Sequence, residues 1–164
     1  MLTSPIAFPL ANWIEEIVPN VFQTMVSMET TRAPESSMPA KVERVVGTIG
    51  IAGPSVLGAI YLQLTEPLAD EVTARLLGMR AGESAKSADV NDAIGELCNM
   101  ISGGFKSTLM DHGMQCAIST PAIIRGTSFS VEAPPDALPE KYFFECGGHR
   151  MAVEIHLQLQ PTDN

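Results

Sequence analysis

The chain has 164 residues, of which 45% are hydrophobic and 18% charged. That is enough apolar side chain for one core, and too much for disorder over the whole length. The formal charge of −9 works against non-specific binding to DNA, RNA or anionic membranes, whose affinity comes largely from Lys and Arg on phosphates.

Aromatic residues make up only 5%, so the core has to be built mainly from Ile, Val, Leu, Met and Ala. The N-terminal residues lack the basic start and long apolar run of a signal peptide. No window approaches the roughly 20 apolar residues that cross a bilayer. The expectation is a cytoplasmic protein with protein partners or small ligands. Cys98, Cys116 and Cys146 are odd in number and match no zinc or redox spacing. They read as small buried thiols. His112, His149 and His156 form no metal spacing either, so no metal site of the chain's own is expected.

Apolar residues at spacings of three and four from Trp13 to Met28 predict a helix over 10–28, which Pro19 should kink or start late. Residues 30–40, with Pro34, Ser36, Ser37 and Pro39, read as a loop. Val42–Ile51 and Val56–Leu64 alternate as strands, and the turn residues Ala52-Gly53-Pro54-Ser55 make them a hairpin. Pro67 opens a short helix to Leu77, which Gly78 and Gly82 end. Ser87 or Asp89 is the expected cap of a long helix to about Asp111, with Gly113 as its stop. Four strands then follow: around Cys116–Ile124, around Ser128–Glu132, and Tyr142–Cys146 with Met151–Leu159 across Gly147-Gly148. A Pro-rich loop spans 134–139. This order predicts an α+β, two-layer sandwich with a largely antiparallel sheet, in one domain over 1–164.

Ile60-Tyr-Leu-Gln-Leu64 and Ile155-His-Leu-Gln-Leu159 are nearly the same, and residues 21–25 align loosely with 104–108. Alternating strands can match by chance. A true repeat would make two halves related by an approximate two-fold axis.

On the 89–111 helix, Ile94, Leu97, Cys98, Ile101, Phe105 and Leu109 fall within about 60° of one another, an apolar stripe to face the sheet. Asp92, Glu96, Asn99 and Gly103 lie opposite, and Glu96 and Asn99 are surface neighbours three apart. Such a face can be merely solvated. Gly95, Gly103 and Gly104, however, each cost about 1 kcal/mol against Ala in a helix, and close packing of another backbone is the usual reason.

The pattern Asp92-x3-Glu96-x2-Asn99, with Pro121 following after 21 residues, resembles the signature of the CheC/CheX/FliY phosphatases of bacterial chemotaxis. Pro121-Ala-Ile-Ile-Arg-Gly126 is similar to that family's Pro-x-x-x-x-Gly strand, and Pro19–Met25 to the first helix of CheX-type domains. CheC-type members carry two sites. Here the first-half positions matching Glu96 and Asn99 are Trp13 and Glu16, which cannot do the same work, so the likeness is to CheX.

The resemblance implies a CheC-like fold with a pseudo-two-fold repeat, a homodimer, and hydrolysis of the phospho-aspartate on a CheY-like response-regulator receiver domain. Asn99 would hold the water in line with phosphorus, as a glutamine does in Ras-type GTPases. Glu96 would pair with the receiver's lysine. Asp92 would add a rim contact, Gly103 would admit the partner's backbone, and Pro121 would shape the strand edge. Mg²⁺ would belong to the receiver. Two rival readings stand beside this one. One is a non-catalytic module that docks to a response regulator or flagellar-motor component; the other is a structural domain with a solvated face.

Overall fold

The computed structural model describes residues 8–34, 38–80 and 83–160. Ser36, Ser37 and Gly82, which the sequence places in loops, lie outside them. Ten elements follow in order: α1 (Leu10–Val26), β1 (Thr30–Arg32), β2 (Arg44–Ala52), β3 (Val56–Thr65), α2 (Glu66–Leu77), α3 (Ser87–Asp111), β4 (Ala117–Ile118), β5 (Ala122–Gly126), β6 (Leu138–Cys146) and β7 (His149–Leu159).

All strand pairs are antiparallel. The sheet order is β1-β6-β7-β3-β2, and β4 and β5 both pair with the far side of β2. The three helices cover one face. Alternation along the strands puts Val45, Ile49, Ile60, Leu62, Val153 and Ile155 under them, each fully buried.

The short repeat in the sequence marks a real symmetry. Ile60 and Ile155 are register partners at the centre of the β3–β7 pair. Adding 95 to one partner and subtracting it from the other returns the same pair, so a two-fold axis passes between them. Around it β3 matches β7, β2 matches β6, and β1 matches β5. Three strands match in each half after its helix, with α2 added to the first half and the two-residue β4 to the second, and β1 and β5 are each exchanged onto the other half.

That exchange accounts for two departures from the sequence reading. β6, β7 and β3 lie between β1 and β2, and β2, β3 and β7 lie between β5 and β6, so the connection 127–137 must cross the sheet. Glu132, Pro134 and Ala137 line a cavity with Leu57, Tyr61 and His156, on the face away from the helices. A segment that crosses strands has no ladder to join, so no strand forms over Ser128–Glu132. The three-residue β1, expected as loop, is too short to show alternation.

Other boundaries shift for local reasons. α1 does not start late; it begins at Leu10 and runs on through Pro19, which lies inside it. The helix stops at Ser27, whose φ of 54° is left-handed. Gly78, with φ of +62°, ends α2 as expected. Neither Ser87 nor Asp89 is the N-cap of α3; Lys86 holds that position. Asp89 instead reaches back, its carboxylate accepting the Lys86 backbone N–H at 3.3 Å. No helix among the described residues is long and apolar enough to cross a membrane.

Candidate functional site

The long helix settles onto the sheet at one close approach. A Cβ on Gly47 of β2 would come within 3.0 Å of Cys98 Cβ, so only glycine lets α3 lie this near. Ile94, Leu97, Cys98, Ile101, Phe105 and Leu109 are all fully buried as a result. Burial pushes the Cys98 thiol up to about 12, against a smaller lowering by its contact with Ser102. The opposite face is left outward: Asp92, Glu96 and Asn99 are exposed and Gly103 is half-exposed.

Beside this face runs a groove of about 660 Å³. One wall is α3, with Asn91, Asp92, Gly95, Glu96 and Asn99. The other wall is the break between β4 and β5, with Ser119, Thr120 and Pro121. The sequence reads one strand from Cys116 to Ile124, but the ladder is interrupted there. Ser119 donates its N–H to the Gly50 carbonyl at 2.9 Å. Its Oγ, rather than its carbonyl, accepts the Gly50 N–H, also at 2.9 Å. Pro121 has no N–H to restore the ladder.

Pro121 then turns onto the helix, its Cγ 3.5 Å from where a Gly95 Cβ would stand. Pro121, Ile123 and Arg125 alternate toward α3. Arg125 Nη2 donates to Asn91 Oδ1 at 2.6 Å and to the Ser87 carbonyl at 3.3 Å. The two walls are thus fastened at both an apolar and a polar point.

The structure therefore brings Asp92, Glu96, Asn99 and Pro121 to one groove. Gly103 lies one turn beyond, outside the lining. Within the chain, two of the three α3 glycines admit side chains rather than another backbone. Gly95 faces Pro121, and Gly104 faces Ile17 of α1, with Cγ2 3.2 Å from its would-be Cβ. Nothing lies within 4 Å of a Cβ on Gly103, so no packing within the described chain requires that glycine.

Sequence reasoning missed Asn91, Ser119 and Arg125. Asn91 is separated from Glu96 by angle on the helix, and the other two are polar residues in an apolar strand, a signal that was available. No cluster of three or more His, Cys, Asp or Glu capable of holding a metal occurs among the described residues.

Comparison with known proteins follows the same lines. The family model described as "Chemotaxis phosphatase CheX" matches residues 45–145, well over half the chain. A search of curated protein sequences finds no significant match. Among solved structures, the chemotaxis protein CheX from Vibrio vulnificus superimposes with a TM-score of 0.80 at 24% identity, covering 94% of this chain and 100% of that one. CheX from Desulfovibrio desulfuricans gives 0.75 at 24% identity, covering 93% and 100%. The CheX–CheY–BeF3–Mg²⁺ complex from Borrelia burgdorferi gives 0.68 at 20% identity, covering 90% and 97%. At these identities the superpositions establish the shared fold, and the match over residues 45–145 establishes the lineage: this chain belongs to the CheX family of chemotaxis phosphatases.

Proposed function

We propose that this protein hydrolyses the phospho-aspartate of a CheY-like receiver domain, with Glu96 and Asn99 as its working pair. One observation carries the reading: the acid and the amide stand exposed, one turn apart, at the mouth of an open groove. The superposition on a CheX held with CheY, BeF3 and Mg²⁺ supports the choice of partner.

An acyl phosphate is already activated, so its hydrolysis needs positioning and charge stabilisation more than covalent help. The Asn99 carboxamide can accept a hydrogen bond from the attacking water and donate one to a phosphoryl oxygen, adding no charge. Water's oxygen bonds to phosphorus, the bond from phosphorus to the aspartyl oxygen breaks, and the aspartate carboxylate leaves with the electron pair. Glu96 would be repelled by a bare phosphate. It suits a receiver that supplies a lysine beside its phospho-aspartate, and the pair would fix α3 on the partner. Mg²⁺ stays with the receiver and offsets phosphoryl charge there. Asp92 contacts the rim, Gly103 receives the partner at close range, and Pro121 sets the groove's second wall. The protein works in the cytoplasm as a homodimer, an assembly that family likeness supports and sedimentation would measure.

The test is a phosphorylated receiver mixed with the parent protein, Asn99→Ala and Glu96→Ala. Loss of phosphoryl group is followed, and binding to receiver loaded with BeF3⁻ and Mg²⁺ is measured separately. Asn99→Ala should lose turnover and keep binding; Glu96→Ala should weaken both. Equal rates in all three sink the enzymatic reading. Binding with no hydrolysis by the parent favours the docking module.

A further inference from the structure

The polar fastening between the groove's walls has a second consequence for the groove itself. Arg125 carries only donors, so the Asn91 atom that it meets at 2.6 Å has to be the carbonyl oxygen. The carboxamide is thereby held in one orientation. Its N–H₂ group is turned away from Arg125, and no acceptor among the described residues takes it up, although Asn91 lines the groove. Asn91 stands two turns before Asn99, about 12 Å along the helix. That is beyond one phosphoryl group and within the footprint of a docked domain.

We infer that Asn91 is a further receiver-contacting residue, its N–H₂ presented by Arg125 to an acceptor oxygen on the receiver's surface beside the phosphorylation site. The role of Arg125 is positioning: it reaches the receiver only through Asn91. The inference rests on the phosphatase reading above for the identity of the partner.

Five proteins are titrated with receiver loaded with BeF3⁻ and Mg²⁺: the parent, Asn91→Asp, Asn91→Ala, Arg125→Met and the double variant Asn91→Ala/Arg125→Met. Asn91→Asp is the discriminating variant, because it keeps an acceptor for Arg125 and removes the donors. It should melt like the parent yet bind about five- to tenfold more weakly, the loss of one hydrogen bond. The loss should persist at high salt, where simple repulsion by the new charge is screened. Arg125→Met should weaken binding to the level of Asn91→Ala, and the double variant should add nothing further. Parent-like binding by Asn91→Asp overturns the inference, as does a loss that salt abolishes or an additive double variant. Hydrolysis by the parent is measured alongside. If the parent hydrolyses phospho-receiver while the Asn91 variants bind normally, only this inference falls. If the parent neither binds nor hydrolyses, the phosphatase reading falls and takes this one with it.

Discussion

The two halves of this chain share a plan and differ in what their helices do. In the second half, α3 turns Glu96 and Asn99 to solvent beside an open groove. In the first half, the positions that match them on α1 are Trp13 and Glu16. Trp13 is only 9% exposed and sits in an aromatic cluster, with ring centroids 5.4 Å from Phe8, 5.9 Å from Phe105 and 4.8 Å from His112. Further along, Ile17 fills the space over Gly104. Of the two positions that match the exposed acid and amide, Trp13 is taken up by packing while Glu16 stays exposed. A two-fold fold offers two matching helix faces, and here one of them puts a tryptophan into the core where the other holds an exposed acid.

The comparison breaks most directly at Trp13. Trp13→Ala should cost about 3–5 kcal/mol of stability, since it empties a large apolar volume. Thermal melting would fall by roughly ten degrees, with turnover per folded molecule unchanged. Turnover lost well below the melt would place chemistry in the first half. The complementary change, Asn99→Ala, should leave melting alone and lower turnover about 10²-fold, the scale for removing one positioned donor at a charge-developing centre. Glu96→Ala should cost about tenfold in receiver affinity, read by titration.

The helix glycines sharpen the contrast on a smaller scale. Gly103→Ala meets no atom within 4 Å and should stabilise the protein by about 1 kcal/mol while weakening receiver binding. Gly104→Ala would press on Ile17 at 3.2 Å and should gain less or lose. If Gly103→Ala stabilises and binds normally, that residue has no part in docking. The last effect belongs to Cys98 and is confined to alkaline pH. Its thiol holds its proton to about 12 in the folded state, against 9.0 for an ordinary cysteine. The contribution is therefore fully present below pH 9, declines as the unfolded chain ionises, and is lost as pH rises toward 12. Denaturant melts across alkaline pH, compared with Cys98→Ala, would show it.

Much of this was legible in the residues. The period of α3 separated its buried stripe from its polar face correctly, because that helix is long and its apolar residues are confined to one side. The Ile60 and Ile155 repeat pointed to the symmetry, because both strands run through the sheet's centre and face the same environment. What stayed hidden has a common cause. The Ser119 hydroxyl standing in for a ladder carbonyl, the Arg125–Asn91 fastening and the crossing of 127–137 all depend on neighbours 34 to 69 residues away, or on which strands lie between. No local window carries that information. The N-cap of α3 failed at closer range, since Lys86 takes that position with no stronger signal than Ser87 beside it.

The amino-acid sequence by itself determined the fold class, the long amphipathic helix, and the placing of acid and amide one turn apart on its outer side. These follow from periodicity and backbone geometry within a single element. The tertiary structure alone decided that the edge strands exchange between halves, that Pro121 meets Gly95 to wall a groove, and that Trp13 packs into an aromatic cluster at the matching position of α1. Those outcomes depend on which surfaces meet once the sheet closes around its two-fold axis, and packing between distant segments is what selects them.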